Sequence, residues 1–248
     1  MKNTGKRIID IHSHILPGVD DGAKTLEEAL GTLMEAQRQG IEKIIVTPHY
    51  HPGRYIVTPA QIREKLALLR AECRKRNICV ELYPGQECFY HSGMSDALLN
   101  GKALTMAGSR YVLVEFEPDC LYSYMASGLR ELQSCGYRPI LAHFERYRCL
   151  REWERLDELK ERGTLLQMNF DTLLFGGSVF HRNPWKKAIE NGLVDYLGSD
   201  CHGTHFRPLE TARAVRRLTS WIDPASADEL LYERAADLLK SNGEGKEL

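Results

Sequence analysis

Histidines and carboxylates recur just after apolar runs in this sequence, and both are common metal ligands. The first group lies in DIHSHILPGVDDG, where His12 and His14 are two residues apart and Asp21 follows. Residues i and i+2 of an extended strand point to the same side, so both imidazoles can bind one ion. The other candidates end or follow later apolar runs: His49, Glu87, Glu115, His143, Asp200 and His202.

The ligand types indicate a class of metal and a class of reaction. Imidazole and carboxylate without thiolate favour Zn²⁺, Mn²⁺ or Fe²⁺. The set is too large for one tetrahedral ion, so it predicts two or three divalent ions that share bridging carboxylates. Clustered metals suit phosphate-ester hydrolysis, because they acidify a bridging water and neutralise phosphoryl charge. Arg146 and Arg207 can bind the phosphate, since a guanidinium reaches two oxygens at once.

Seven apolar runs are predicted to be the strands that position these residues. They are Arg7–His12, Glu42–Thr47, Ile78–Tyr83, Arg110–Phe116, Arg138–His143, Thr164–Asn169 and Val194–Asp200. Helices are predicted between most of them, and two more after the last. This alternation indicates parallel β/α units, whose chemistry collects at the C-terminal ends of the strands. Candidate ligands lie at six of the seven ends, which chance explains poorly.

The number of units favours a closed barrel over an open doubly wound sheet, although the pattern fits both. Two helices have clear start signals. Thr25 and Glu28 have capping-box spacing before a stripe that ends at Gly40, and Thr58 with Pro59 suits an N-cap and first turn. We see no internal repeat and no long linker.

Composition indicates an ordinary globular protein of 248 residues, with 43% hydrophobic and 27% charged residues. A formal net charge of −1 gives no strong field for nucleic acid or an anionic membrane. The start lacks an apolar signal-peptide core and no run is long enough to span a bilayer, so we expect a cytoplasmic protein without membrane insertion. The seven scattered cysteines contain no CxxC pair and argue against a disulfide framework.

In combination, HSH, TPH, an isolated Glu after the third strand, AH and SDxH resemble the polymerase-and-histidinol-phosphatase (PHP) superfamily. More narrowly, DIHSHILPGVDDG, TPHYHPGRY, VEF, AHFERY and SDCHGTHFRP resemble the bacterial protein-tyrosine phosphatases of capsule and exopolysaccharide operons. The resemblance covers roughly residues 7 to 235. It implies an α/β fold, a distorted (β/α)7 TIM-like barrel with a trinuclear metal site. It implies a single domain over 1–248, with a short N-terminal extension, 1–6, and a polar tail, about 240–248.

The resemblance also implies roles for individual residues. The first metal would be held by His12, His14, Glu87 and Asp200. Glu87 would bridge to a second metal held by Glu115 and His143, and the third would be held by Asp21, His49 and His202. Arg146 and Arg207 would bind the phosphate, and Asp10 would support a ligating histidine. Mn²⁺ is the expected ion, with Fe²⁺ or Zn²⁺ as alternatives.

The hypothesis that follows is direct hydrolysis of phosphotyrosine by a metal-bridging hydroxide, without a covalent phosphoenzyme. His49 or a metal-bound water would protonate the leaving group. The resemblance implies a protein substrate, an autophosphorylating bacterial tyrosine kinase of polysaccharide export. The sequence does not predict the oligomeric state.

Three other hypotheses are open. A cysteine nucleophile would use a C-x5-R loop, and Cys149–Arg155 and Cys201–Arg207 match that bare pattern. The first is predicted to be helical, and Asp200 would oppose a thiolate in the second. The metals could instead act on histidinol phosphate, another small phosphomonoester or a nucleic-acid phosphodiester. A non-enzymatic binding protein would require lost ligands, and every expected ligand is present.

Overall fold

The strands of the described chain form two sheets that curl around the candidate ligands. The computed structural model describes residues 5–175 and 185–241. Within them the strands are β1 Ile8–Asp10, β2 Ile41–Val46, β3 His49–His51, β4 Tyr55–Ile56, β5 Glu81–Pro84, β6 Glu87–Phe89, β7 Tyr111–Glu115, β8 Arg138–Leu141, β9 Leu165–Asn169 and β10 Tyr196–Gly198. A three-stranded sheet has the order β1-β2-β5, and a seven-stranded sheet has the order β10-β9-β8-β7-β6-β3-β4.

The pairing is parallel throughout, except that β3 and β4 form an antiparallel hairpin. The predicted parallel β/α organisation is therefore confirmed. An isolated parallel bridge joins Ser13, beyond β1, to Cys201, beyond β10. The backbone N–H of Thr47 also donates to the carbonyl of Ser13, at 2.8 Å. The result is an α/β fold with a curled sheet.

The prediction of seven strands misses β3, β4 and β6. Two of the predicted strands continue as a second short strand after a break, at Thr47–Pro48 and at Gly85–Gln86. Pro48 has no N–H to donate to a ladder, which explains the first break. Beyond each break the chain pairs in the other sheet, so His49 and Glu87 lie within strands rather than in the loops that we expected.

Helices lie between most of the strands, as predicted, but three follow the last strand where two were predicted, because the π-helical segment Glu229–Glu233 separates the last two. They are α1 Leu26–Gln39, α2 Pro59–Lys75, α3 Met94–Leu99, α4 Tyr122–Ser134, α5 Trp153–Glu161, α6 Lys186–Glu190, α7 Thr211–Leu218, α8 Pro224–Asp228 and α9 Arg234–Lys240. Thr25 caps α1 by accepting from the N–H of Glu28, and Gly40 ends it with a φ of 93°. Thr58 caps α2 with a full capping box. Both predicted helix starts are confirmed.

The core lies between the sheets and the helices, and its largest fully buried side chains include Tyr147, Phe116, Phe144 and Phe170. In the described ranges no helix has the length and apolar character needed to cross a membrane. Most of the predicted extension, residues 1–4, and most of the predicted tail, residues 242–248, lie outside the described residues.

Candidate metal centre

Residues at or beside six strands bring nitrogen and oxygen atoms together around Glu87, the first residue of β6. Its side chain is 1% exposed. The carboxylate oxygens lie against four imidazole nitrogens, at 3.3 Å from His12, 3.2 Å from His14, 3.1 Å from His49 and 2.9 Å from His143. A carboxylate with histidines on both oxygens is placed to bridge two ions.

Asp200 lies on the side of this cluster formed by β1 and β10. Its Oδ1 atom is 3.7 Å from His12 Nε2 and 3.5 Å from His14 Nε2. The two histidine nitrogens are 3.2 Å apart, as expected for i and i+2 residues on one side of a strand. The ligand atoms of His12, His14 and Asp200 all lie within 4.8 Å of one another.

Asp21 lies on the side nearer the solvent. Its Oδ1 atom is 3.3 Å from His49 Nε2 and 3.6 Å from His202 Nε2. Ligand atoms of these three residues and of His14 lie within 4.8 Å of one another. The resemblance assigned His14 to the first metal only. In the structure it belongs both to this group and to the group of His12 and Asp200.

Glu115, at the end of β7, completes the opposite side. It lies 3.7 Å from His49 Nδ1 and 3.4 Å from His143 Nε2. Ligand atoms of His49, Glu87 and Glu115 form a third group within 4.8 Å. The structure thus brings all nine predicted ligands together: eight lie in three overlapping groups, and His143 contacts Glu87 and Glu115. Both nitrogens of His49 face carboxylates, which favours a ligand over the proton donor that we considered for it.

The chemistry of the donors tests whether metal ions fit. All the converging atoms are imidazole nitrogens and carboxylate oxygens, the donor set of Zn²⁺, Mn²⁺ and Fe²⁺. Asp21 Oδ1 and His49 Nδ1 are buried, and among the described residues neither has a partner in hydrogen-bond geometry. Buried polar atoms without such partners are costly unless an ion or water satisfies them. The residues present therefore fit a cluster of divalent ions.

The pKa values express the same crowding of opposite charges. Burial opposes protonation of the histidines, yet neighbouring carboxylates outweigh it. They raise the pKa of His14 to about 9, of His143 to about 10 and of His49 to about 11. Burial likewise opposes ionisation of Glu87, but the facing imidazoles hold its pKa well below the ordinary value. The cluster therefore needs positive charge at its centre, from protons or from metal ions.

Two arginines reach the cluster from one side and share Asp200. Arg146 Nη2 lies 2.6 Å from Asp200 Oδ2, and Arg207 Nη1 lies 3.2 Å from the same oxygen. His143, Asp200 and Arg207 all have positive φ, at 32°, 50° and 45°. Non-glycine residues adopt this conformation at a cost, and such residues concentrate at functional sites.

Asp20 is a site residue that the sequence analysis missed. Its Oδ2 atom accepts from His14 Nδ1 at 2.9 Å and from the backbone N–H of His49 at 3.0 Å. The first bond fixes the tautomer of His14 so that Nε2 presents its lone pair to the cluster. The Asp–Asp pair in the sequence was the available signal, and we assigned only its second member.

Two linked amide side chains, those of Gln167 and Asn169, support His12 and Asp200. The sequence analysis also missed these residues. Gln167 Oε1 lies 3.0 Å from His12 Nδ1, and Gln167 Nε2 donates to Asn169 Oδ1 at 2.9 Å. Asn169 Nδ2 donates in turn to Asp200 Oδ2 at 3.1 Å. Asp10, predicted to support a ligating histidine, accepts instead from the backbone N–H of His12, at 3.1 Å. It holds the strand end rather than the imidazole.

Replacement of Asp20 by Ala should weaken Mn²⁺ binding about 10- to 100-fold, because His14 loses its orienting partner. The measurement is a Mn²⁺ titration followed by thermal unfolding. Asp195→Ala is a matched control, since that buried carboxylate bonds Lys160 and the backbone of Leu166 and contacts no candidate ligand. Equal Mn²⁺ affinity in both variants would contradict the role of Asp20.

Cys201 is poorly placed to be a nucleophile. The residue is 0% exposed, and its Sγ lies 3.5 Å from the carbonyl oxygen of Gly203. Burial raises the pKa of its thiol to about 12. Cys149, in the other C-x5-R match, is half-buried in a 3₁₀ turn, and burial raises its pKa too. Neither thiol has the depressed pKa of a reactive cysteine.

Seven of the nine candidate ligands, all except His12 and His14, line one open cavity of about 250 Å³ together with the two arginines. A family model for capsular polysaccharide synthesis, CpsB/CapC, matches residues 8–240. The chain belongs to the CpsB/CapC family. The tyrosine-protein phosphatase CpsB of Streptococcus agalactiae serotype V is 31% identical over 243 residues, covering 95% of this chain and 99% of that protein. The tyrosine-protein phosphatase YwqE of Bacillus subtilis is 34% identical over 211 residues, covering 84% and 82%.

Solved structures agree with this family assignment. One chain from the crystal structures of YwqE from Bacillus subtilis and CpsB from Streptococcus pneumoniae, described as unique metal-dependent tyrosine phosphatases, matches with a TM-score of 0.85. Its sequence identity is 32%, and the match covers 94% of this chain and 95% of that chain. The resemblance of this chain to the tyrosine phosphatases of capsule operons is thus confirmed at the level of the family.

Proposed function

We propose that this CpsB/CapC protein is a metal-dependent protein-tyrosine phosphatase. The observation that carries the proposal is a cluster of five histidines and four carboxylates, seven of which line one cavity with Arg146 and Arg207. Relatives with 31% and 34% identity over most of the chain are named tyrosine-protein phosphatases. The metals we propose are two or three divalent ions, with Mn²⁺ as the physiological one.

The proposed ligands are the eight members of the three groups together with His143: His12, His14, Asp21, His49, Glu87, Glu115, His143, Asp200 and His202. When bound, such ions supply Lewis acidity, which acidifies water and neutralises charge on phosphoryl oxygens. The protein contributes the fixed positions of the ligands. Asp20 and the amides of Gln167 and Asn169 hold His14, His12 and Asp200 in place by hydrogen bonds.

Arg146 and Arg207 then bind the non-bridging oxygens of the phosphate. Both line the cavity, and both are held through one oxygen of Asp200, which leaves other N–H groups of each guanidinium to donate. Donors fixed in advance stabilise the charge that grows on the phosphoryl group in the transition state. A phenolate is a far better leaving group than an alkoxide, so tyrosine phosphate needs little protonation as it departs.

The proposal also covers the domain organisation, the closure of the barrel, the location in the cell and the protein substrate. We take 1–248 to be one phosphatase domain whose strands close a distorted (β/α)7 barrel. The Ser13–Cys201 bridge and the family match over 8–240 support this. We propose a cytoplasmic protein whose substrate is an autophosphorylating tyrosine kinase of capsule or exopolysaccharide synthesis, because the family model is one of capsular polysaccharide synthesis.

The deciding experiment is hydrolysis of a phosphotyrosine peptide before chelation, after chelation and after Mn²⁺ is added back. A parallel arm uses Cys201→Ser. We expect chelation to abolish activity, Mn²⁺ to restore it and the cysteine variant to match wild type, because Cys201 is buried away from the cavity.

Chelator-resistant activity that disappears in Cys201→Ser would overturn the metal mechanism in favour of a cysteine nucleophile. If the Mn²⁺-loaded protein hydrolyses no phosphotyrosine peptide, the proposed substrate is wrong. Histidinol phosphate and other small phosphomonoesters, tested in the same assay, then identify the alternative.

A further inference from the structure

The side chains of His51, Tyr55 and Phe89 form an aromatic strip next to the candidate ligands. His49 and His51 lie on the same side of β3, and Glu87 and Phe89 lie on the same side of β6. The rings of His51 and Phe89 stack in parallel, with centroids 4.0 Å apart and planes 5° from parallel. Tyr55, on β4, pairs with His51 across the hairpin.

Tyr55 links this strip to the candidate ligands. Its ring stacks on that of His49, with centroids 5.5 Å apart and planes 12° from parallel. The guanidinium of Arg54 lies 5.2 Å from the centre of the Tyr55 ring and adds a cation–π contact. Tyr55, His51 and Phe89 are all half-buried and line the same cavity as the ligands. Their rings are therefore fixed and accessible to a ligand.

The position of the strip matches the chemistry of an aryl phosphate. Two residues along a strand advance the chain by about 6.6 Å, so His51 and Phe89 lie one such step beyond His49 and Glu87. In phosphotyrosine a single ester oxygen separates the phosphorus from the ring. An aryl group on a phosphate held at the ligands and the two arginines is therefore within reach of the strip, which lines the same cavity.

We infer that Tyr55, with the stacked pair of His51 and Phe89, forms an aryl subsite that selects aromatic over aliphatic phosphate esters. The inference rests on the proposed phosphatase function and adds a specificity determinant to it. Offset and edge-to-face contacts with the substrate ring add to simple burial of its area. An alkyl chain gains no such contact, so the subsite distinguishes tyrosine phosphate from serine or threonine phosphate.

The test compares phenyl phosphate, an aryl ester, with acetyl phosphate, a reactive acyl phosphate without a ring, on the Mn²⁺-loaded full chain. The variants are Tyr55→Leu, Phe89→Leu and their combination. Each single change should lower kcat/KM for phenyl phosphate about 2- to 12-fold, the range of one aromatic contact. Acetyl phosphate turnover should stay unchanged, and it reports that each variant keeps an intact metal site.

Tyr124→Leu is the matched control, because this exposed tyrosine contacts Phe116 and Tyr90 and does not line the cavity. An equal fall for both substrates, or no fall for phenyl phosphate, would overturn the subsite while the phosphatase function stands. If wild type hydrolyses neither substrate, the proposed function itself is wrong, and the subsite falls with it.

Discussion

Replacement of Glu87 by Gln should lower kcat/KM for a phosphotyrosine peptide by about 10³-fold, since ligated metals supply several kcal/mol of charge stabilisation. The carboxylate is fully buried and touches His12, His14, His49 and His143. Gln keeps the shape but loses the charge and turns an N–H₂ group toward imidazoles. It cannot bridge two ions, so we also expect fewer Mn²⁺ ions per chain by elemental analysis.

Glu81→Gln is the control for this change. Glu81 lies on β5, in the same predicted strand region but at the opposite end, where it bonds Tyr83 and Lys43. It should retain wild-type activity and wild-type Mn²⁺ content. A Glu87→Gln protein that keeps both its metal and its turnover would show that Glu87 is not a bridging ligand.

The residues with the strongest local signals were predictable from the sequence. The apolar runs at Tyr111–Glu115 and Arg138–Leu141 form mostly buried parallel strands, as unalternating patterns predict. Thr58 followed by Pro59 fixed the start of α2, because an N-cap and a first-turn proline act locally. Parallel strands place their C-terminal ends at one edge, so the ligands could be grouped without coordinates.

The missed features depend on contacts across the fold. The hairpin of β3 and β4 has strands of three and two residues, too short for alternation to be read. Asp20 and Asp21 are adjacent in a turn, and only the structure shows that Asp20 bonds the His14 imidazole while Asp21 faces the imidazoles of His49 and His202. Gln167 and Asn169 end β9, the one predicted strand without a ligand. Their i, i+2 spacing was a signal, yet amides are not metal ligands of first choice and we passed over them.

Arg146 should matter through the phosphate rather than through the metals. Arg146→Ala should lower kcat/KM about 10²- to 10³-fold, the effect of losing one fixed donor to the transition state. Arg146→Lys should recover part of the loss, because it keeps the charge without the fork. Inhibition by inorganic phosphate should weaken in the same order, since the product binds the same donors.

Arg146 also forms an ion pair with Asp200, at 2.6 Å, so its loss affects that carboxylate as well as the phosphate. Because Asp200 is also a proposed ligand, the Mn²⁺ content of each variant is measured alongside its activity. Arg148→Ala is the control, because this arginine lies two residues away and pairs with Asp119 at the surface. Full Mn²⁺ content with weak phosphate inhibition identifies Arg146 as a phosphate ligand. Loss of Mn²⁺ with unchanged phosphate inhibition constants would instead make it a residue that positions Asp200.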